Sequence, residues 1–302
     1  MKDAGCVAVY YGMETGSPAI LEIMEKKATL QDNINAAKWT QEAGIFTIFQ
    51  MVLAMPGESP ETIRETIEFL KIVTQDLPES PRSRVSLNYI QALPGTPVYE
   101  YARQKGLIGK SLADEEAYLV TISDIDAADD TKMLNFTDYD YLTVRSWRRN
   151  IVLEVMQHYR AHNRMQAPSL LSFAWDTLKK KASSGRKQSE EDFHEAARLK
   201  VINDYSKGGY FNLQRDLAYD AIVAYAYPLR EVILGAWLLQ DEFRHLKFSD
   251  FLKDVGAWLR RRLTGAPRPS VSTVSLRLTV ADNTPKPATP TETAMAPLRD
   301  GR

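Results

Sequence analysis

The feature that most constrains this chain is the alternation of apolar runs and helical patterns over residues 1–110. The apolar runs are rich in β-branched and aromatic residues and lie at 7–11, 45–55 and 84–92. Strands buried on both faces have continuous apolar sequences, and alternation with helices is typical of parallel sheets joined by crossover helices. We therefore predict an α/β region built on three parallel strands.

Helical spacing of apolar residues fills the segments between and after these strands. The predicted helices cover residues 17–27, 30–44, 59–75 and 96–107. The clearest start signal is Ser59, which is followed by Glu61 and Thr62 and predicts a capping box with one of them. Each predicted strand is therefore followed by at least one helix.

The composition changes three times after residue 110. Residues 111–138 are acidic and predict an irregular linker. Residues 139–265 show helical patterns and predict a mainly α-helical C-terminal domain. Residues 266–302 are dominated by Pro, Thr, Ser and Ala, which predicts a disordered tail.

Composition also excludes several classes of function. The formal net charge is −1, which gives no reason to expect nucleic acid as a partner. Cys6 is the only cysteine, so the chain has no disulfide framework and no CxxC-type metal or cluster site of its own. We expect Cys6 to be a buried small apolar residue, and we expect a cytoplasmic protein.

Three short motifs lie at the carboxyl ends of the three predicted strands. They are GMETGS at 12–17, MVLAMPGES at 51–59, and NYIQALPGTPVYEYARQKGL at 88–107. The carboxyl ends of parallel strands share one edge of the sheet, where α/β proteins hold ligands. In this order the motifs resemble the second half of the radical S-adenosylmethionine (SAM) core domain. Members of the tRNA-modifying and B12-dependent type carry GxESGS-, GLPGET- and PGTPLY-like stretches there.

The resemblance implies a partial (β/α) half-barrel over residues 1–110, made of the last three strands of the radical SAM core. It also implies that Glu14, together with Thr15 in place of the usual Ser, contacts the ribose of SAM. A carboxylate suits this position because it accepts hydrogen bonds from both hydroxyls of a vicinal diol.

The remaining site residues are also implied by the resemblance. Gln50 and Val52, on the strand after the first motif, match positions that line the adenosine. Gln91 and Ala92 match the end of the sixth strand, which closes the adenine pocket. Ala54 departs from the family pattern, since relatives usually carry Gly there.

A larger departure concerns the iron–sulfur cluster. The CxxxCxxC loop, which holds a 4Fe–4S cluster in the family, has no counterpart in a chain with one cysteine. We therefore interpret the chain as the C-terminal part of a longer enzyme, with Met1 an internal methionine used as a start. Its expected partner is the missing N-terminal half or a companion chain.

The resemblance implies SAM and a 4Fe–4S cluster as cofactors of full-length relatives, and it leaves cobalamin open. The implied chemistry is reductive cleavage of SAM, followed by radical methylation or ring formation on a large apolar substrate such as a lipid or a tetrapyrrole. We expect this chain alone to be inactive. The alternatives are a degenerate, non-catalytic binding module and, ranked last, a complete α/β domain unrelated to SAM.

The helical region offers two further patterns. His158 and His162 are spaced for one helix face, where a solvated basic surface is favoured over a metal site. Residues 243–262 form an amphipathic pattern that ends in Arg260, Arg261 and Arg262. It fits a helix at a membrane surface, which would make the protein peripheral, but we favour a helix packed on its own domain.

The most apolar stretch of the chain covers residues 217–240. It contains Asp220, Arg230 and Glu231. Three charges are costly within a bilayer, so we predict a buried helix here rather than a membrane span.

Overall fold

A computed structural model describes residues 1–122, 127, 132–169, 171–173, 175, 218–245 and 248–265, without the side chains of 121 and 242–245. Within the helical region predicted over 139–265, the segments 168–181 and 190–205, each of which has a helical pattern in the sequence, fall mostly or wholly outside these ranges. The predicted tail over 266–302 lies outside them as well.

A three-stranded parallel sheet organises the first part of the chain. Its strands are β1 (Ala8–Glu14), β2 (Phe46–Leu53) and β3 (Val85–Tyr89), in the order β1-β2-β3. Both strand pairs are parallel, which confirms the predicted α/β architecture. The boundaries predicted between domains stay predictions.

Helices follow each strand, as the sequence predicted. They are α1 (Pro18–Ile23), α2 (Leu30–Glu42), α3 (Pro60–Thr74), α4 (Pro97–Gln104), α5 (Leu112–Thr121) and α6 (Tyr141–His162). Ser59 forms its capping box with Thr62, one of the two partners expected. The cap exchanges hydrogen bonds with the first turn of α3 and fixes where that helix begins.

One face of the sheet is buried against helices. Residues two apart on a strand share a face, so Phe49, Met51 and Leu53 of β2 point to the same side. They pack in one core with residues of α3 and with Val144, Trp147 and Ile151 of α6. Because α6 also lies along α3, the sheet and the first helix of the C-terminal region share a continuous core.

The prediction of an irregular acidic linker after residue 110 is wrong over its first part, which forms α5. Ser111 and Asp114 form a capping box, and Asp114 accepts hydrogen bonds from the backbone N–H groups of Lys110 and Ser111. Glu115 accepts hydrogen bonds from Tyr99 and Arg103. The acidic residues therefore start a helix, since negative side chains stabilise a helix N-terminus.

The end of the described chain is a helical hairpin on α6. A π-helix (Ile222–Ala226) and a 3-10 turn (Tyr227–Leu229) lead into α7 (Arg230–His245), and α8 (Phe248–Thr264) follows. Within Ala218–Asp241, the most apolar 18 residues have a mean hydropathy of 1.4, which by length and composition is enough to cross a membrane, and 22% of them are buried. The prediction of a buried helix therefore holds for a minority of these residues.

The structure also tests the expectations for the two histidines and for Cys6. His158 and His162 stack on each other, and their rings contact Gln75 and Asp76 in the loop after α3. These contacts tie the end of α6 to that loop. Cys6 is half-buried rather than buried, and its Sγ lies 3.6 Å from the carbonyl oxygen of Ala8.

Candidate functional site

The three motifs begin at one edge of the sheet. β1 ends at Glu14, β2 at Leu53 and β3 at Tyr89. Because the strands are parallel, these ends lie side by side. This edge is where the sequence placed its candidate site.

Glu14 is held in an unusual backbone conformation. Its φ is 65°, and the register of β1 against β2 shifts between Gly12 and Glu14. A left-handed conformation costs a residue with a side chain roughly 1–2 kcal/mol, and such strain is concentrated at functional sites. The bulge turns the Glu14 side chain back over its own strand.

The Glu14 carboxylate lies over Gly12. A Cβ atom at Gly12 would come within 2.7 Å of the Glu14 Oε1, so only glycine leaves room for this orientation. Lys26 Nζ donates a hydrogen bond to the same oxygen at 2.6 Å. Gly12 is the register partner of Gln50, so the carboxylate sits beside Gln50 on the sheet face that does not contact α3.

Gln50 and Val52 share this face of β2, and both are half-buried. Their neighbours on β3 are Ser86 and Asn88, respectively. The amide nitrogen of Asn88 donates to Ser86 Oγ at 3.3 Å, and the Asn88 Oδ1 is buried without a hydrogen-bond partner. Ser86 and Asn88 therefore add two polar side chains to the face on which Gln50 was predicted to line the adenosine.

Thr15 points away from this face. Its side chain is buried, and its hydroxyl forms a 3.0 Å hydrogen bond with the hydroxyl of Thr66 on α3. The Thr15 hydroxyl also accepts from the Ser17 N–H, while the Gly16 N–H donates to the Thr66 hydroxyl. Thr15 thus fixes the turn to α3, and of the first motif's predicted pair only Glu14 lies on the sheet face away from α3.

The second motif forms a tight turn around a buried carboxylate. Ala54 has a φ of 70°, a backbone conformation that favours the glycine usual in relatives. Glu58 is buried and accepts hydrogen bonds from the N–H groups of Ala54 and Met55 at 2.6 and 3.2 Å. Burial raises the pKa of Glu58 to about 8, and it outweighs the two N–H donors, which lower the pKa.

The third motif is covered by α5. Ala92 is fully buried, and its N–H donates to the Tyr118 hydroxyl of α5 at 2.9 Å. Gln91 is half-buried next to it. The structure thus brings Glu14, Gln50 and Val52 to one face and encloses Ala92 in a second core formed with α1 and α4.

Sequence reasoning missed several residues that shape this edge. Lys26, Glu58 and Tyr118 lie outside the motif positions that were assigned to a ligand. The glycine preference at the position of Ala54 was the one available signal for a left-handed turn. No local pattern connects Tyr118 to Ala92, because the contact spans 26 residues.

Comparisons with known proteins point to one family. Residues 1–70 match the sequence model of the Radical SAM superfamily. An uncharacterized methyltransferase of Pyrococcus horikoshii is 32% identical over 113 residues, which cover 36% of this chain and 22% of that protein. The anaerobic magnesium-protoporphyrin IX monomethyl ester cyclase of Cereibacter sphaeroides is 32% identical over 65 residues, which cover 22% of this chain and 11% of the cyclase.

These matches span less than a quarter of the length of either relative. Together with the family match they support a radical SAM enzyme, and the family implies SAM and a 4Fe–4S cluster in the relatives. The cluster does not fit this chain by itself, since three thiolates are required and Cys6 is the only cysteine. For the adenosyl end of SAM the chain does carry a suitable acceptor, because the Glu14 carboxylate lies over Gly12 on the sheet face away from α3.

Proposed function

We propose that residues 1–110 hold the adenosyl end of SAM in a radical SAM enzyme, as the last three strands of its (β/α) half-barrel. The supporting observation is a coincidence of two findings. The family match covers residues 1–70, and that segment places Glu14, at a φ of 65°, at the carboxyl edge of the parallel sheet. A strained carboxylate at this edge is a reason to propose a ligand contact.

In this proposal Glu14 binds the ribose. Its carboxylate accepts hydrogen bonds from the two ribose hydroxyls, as the chemistry of a vicinal diol requires. Lys26, 2.6 Å from Oε1, fixes the direction of the carboxylate before the ligand arrives. A preorganised acceptor loses less side-chain entropy on binding.

The base lies against the same face. Val52 supplies an apolar contact for the adenine, and Gln50, between Gly12 and Ser86, supplies a polar one. Thr15 and Ala92 support the site without touching the ligand, because their polar groups are bonded to Thr66 and Tyr118. Gln91 is assigned to the rim after β3.

When bound with a reduced cluster, SAM supplies a 5′-deoxyadenosyl radical for abstraction of a substrate hydrogen. The cluster thiolates must come from outside this chain, since it carries only Cys6. The residues described here bind and orient the nucleoside, and they hold no proton or electron of the reaction. The proposed partner is therefore an N-terminal half or a companion chain that brings the CxxxCxxC loop.

The names of the relatives guide the reaction class. One is a methyltransferase and the other is a cyclase acting on magnesium-protoporphyrin IX monomethyl ester. We therefore assign the complete enzyme to radical methylation or ring formation on a large, apolar small molecule. Cobalamin is left out of the proposal, because neither the family match nor these names support it.

A second candidate is a non-catalytic binding module. The observation that favours it is the single cysteine, which leaves this chain without cluster ligands. The two candidates differ in whether the nucleoside site is intact. A chain that forms part of an enzyme is expected to keep an intact nucleoside site. A module that binds its partner through its helices has no need of one.

The test measures binding of 5′-deoxyadenosine to the full chain by ligand-observed NMR. We expect Glu14→Gln to weaken binding roughly tenfold, which corresponds to loss of a charge-assisted hydrogen bond. Glu22→Gln, an exposed carboxylate on the neighbouring α1, is the matched control and should bind like the parent chain.

A second ligand separates the ribose contact from general damage. The parent chain should bind 2′,5′-dideoxyadenosine more weakly than 5′-deoxyadenosine, since one hydroxyl is missing. Glu14→Gln should remove most of that difference, because the hydroxyl has lost its acceptor. Equal discrimination by both proteins would reject Glu14 as the ribose ligand, and no binding by the parent chain would favour the non-catalytic module.

A further inference from the structure

The last helix, α8, carries apolar residues on two sides. Phe251, Val255 and Trp258 are half-buried on the side that faces the protein. Arg261 fixes this orientation, because its guanidinium donates to Asp140 Oδ2 at 2.8 Å and to the carbonyl oxygen of Asp138 at 2.7 Å. Packing on α6, the interpretation favoured from the sequence, therefore accounts for one face of the helix.

Beside this protein-facing side runs an exposed apolar stripe. The exposed fractions are 65% for Phe248, 52% for Leu252, 49% for Leu259 and 86% for Leu263. Their spacing of four, seven and four residues follows one side of a helix. Single exposed apolar residues are ordinary, but a continuous row along a helix marks an interaction surface.

Cations border this stripe on the side away from α6. At about 100° per residue, Lys253 and Arg260 lie beyond the stripe on that side, and both are exposed. Arg262 lies on the protein-facing side, where its guanidinium packs 4.7 Å over the Trp258 ring. Asp250 is the one fully exposed acidic residue of α8, and it lies away from the stripe on the far side of the helix.

The neighbouring helical segment extends the apolar character. Leu229, in the turn before α7, and Val232, in its first turn, are exposed, while Leu234 and Leu238 are buried. Both α7 and α8 pack on α6, so the exposed residues of each helix are those turned away from it. The hairpin thus presents apolar side chains outward on two adjacent helices.

We propose that the α8 stripe docks on the surface of an anionic lipid bilayer, with the helix lying in the plane of the interface. Phe248, Leu252, Leu259 and Leu263 would insert among the acyl chains, and the flanking cations would face lipid phosphates. Each cation near an anionic surface strengthens binding about fivefold. This proposal is independent of SAM binding at the sheet edge.

The charges also argue against a second copy of the chain as the occupant. A two-fold interface places the same patch on both partners. Two copies joined through their stripes would bring Lys253 and Arg260 of both chains into one interface, and like charges there are repelled. An anionic lipid surface matches both the apolar stripe and its cationic border.

The test is co-sedimentation of the full chain with vesicles. One set contains phosphatidylcholine alone, and the other contains equal parts phosphatidylcholine and phosphatidylglycerol. We expect binding to the anionic set, and we expect Leu263→Glu to lower the ratio of bound to free protein roughly tenfold. Val120→Glu on α5, at a position that is also 86% exposed, is the matched control and should bind as the parent chain does.

A second pair of variants tests the cationic border. Lys253→Gln and Arg260→Gln should each lower binding to anionic vesicles about fivefold, and added salt should weaken binding by the parent chain. Equal losses for Leu263→Glu and Val120→Glu would overturn the proposal. A parent chain that does not bind vesicles would also overturn it. If that chain instead gains mass with concentration and Leu263→Glu makes it monomeric, the stripe joins two copies of the chain.

Discussion

The turn after β1 and the outer face of α8 differ in how closely their atoms are packed. A Cβ atom at Gly16, in that turn, would overlap atoms of α3, whereas a Cβ atom at Gly256 of α8 would meet nothing within 4 Å. The first region fixes the position of Glu14 through the packing of its turn on α3 and the hydrogen bond from Lys26. The second leaves a row of apolar side chains facing outward. The closely packed turn suits a ligand site that needs a fixed geometry, whereas the exposed row on α8 suits a fluid partner such as a lipid surface.

Adding a methyl group at Gly16 and at Gly256 tests this difference in packing with the largest expected effect. Gly16→Ala would place its Cβ 2.5 Å from Phe69 Cβ, 2.6 Å from Thr66 Cα and 2.8 Å from the Glu65 carbonyl oxygen. Because two of these atoms are backbone, we expect a loss of about 3 kcal/mol or more in the free energy of unfolding. Denaturant titration followed by circular dichroism measures it.

The matched substitution in α8 should change the free energy of unfolding in the opposite direction. Gly256→Ala lies in an exposed helix interior and should stabilise the chain by up to about 1 kcal/mol. Similar effects at the two glycines would mean that the β1 turn is not closely packed against α3.

The hydrogen bonds of the same turn provide the next test. Thr66→Val keeps the shape of the side chain but removes the acceptor of the Gly16 N–H and the partner of the Thr15 hydroxyl. Leaving these buried groups unpaired should cost about 1–3 kcal/mol of unfolding free energy. Thr264→Val, at an exposed hydroxyl near the end of α8, should change it by about 0.5 kcal/mol or less.

Glu58 should make stability depend on pH. Its pKa in the folded chain is raised from the ordinary value of 4.5 to about 8, so the folded chain keeps a proton that the unfolded chain releases. This contribution is complete below about pH 4.5 and is lost as pH rises to about 8, at up to about 1.4 kcal/mol per pH unit.

Denaturant titrations across that pH window should show the slope in the parent chain. Glu58→Gln should remove it, since the amide does not titrate. Glu61→Gln, at the exposed start of the same helix, should keep it. An unchanged slope in Glu58→Gln would assign the pH dependence to other groups.

The left-handed residue of the second turn gives a smaller effect. Ala54→Gly relieves a φ of 70° and should stabilise the chain by about 1 kcal/mol or less. Ala36→Gly, within α2, should destabilise it by about 0.5–1 kcal/mol, because glycine is unfavourable inside a helix. Thermal unfolding of the two variants should therefore shift in opposite directions.

The smallest effect on stability is expected at Gly12, where the effect on binding should be large. Gly12→Ala meets only the flexible ends of Glu14 and Lys26, which move aside at little cost. The carboxylate then leaves its place, and binding of 5′-deoxyadenosine should weaken about as much as in Glu14→Gln. Unchanged binding by Gly12→Ala would show that the orientation over Gly12 is not the one that the ligand uses.

Much of the sheet region was predictable because its signals are local. The β2 run and the capping box at Ser59 depend on neighbours within a few residues, and both are found where the sequence placed them. Glu14 was predicted through a motif, and its position at the edge follows from the parallel strands. The direction of Thr15 into α3 was not predictable, because its partner Thr66 lies 51 residues away.

The sequence alone determined the α/β alternation, the parallel strands and the edge at which the motifs gather. Periodicity and capping act within one or two turns of chain, so they can be read without knowing what packs where. Tertiary structure decided that α5 covers Ala92, that Glu58 is buried in its turn, and that α6 covers only part of the apolar face of α8. Those outcomes depend on contacts between distant segments, since the amphipathic pattern of α8 does not say which part of its apolar face α6 will cover.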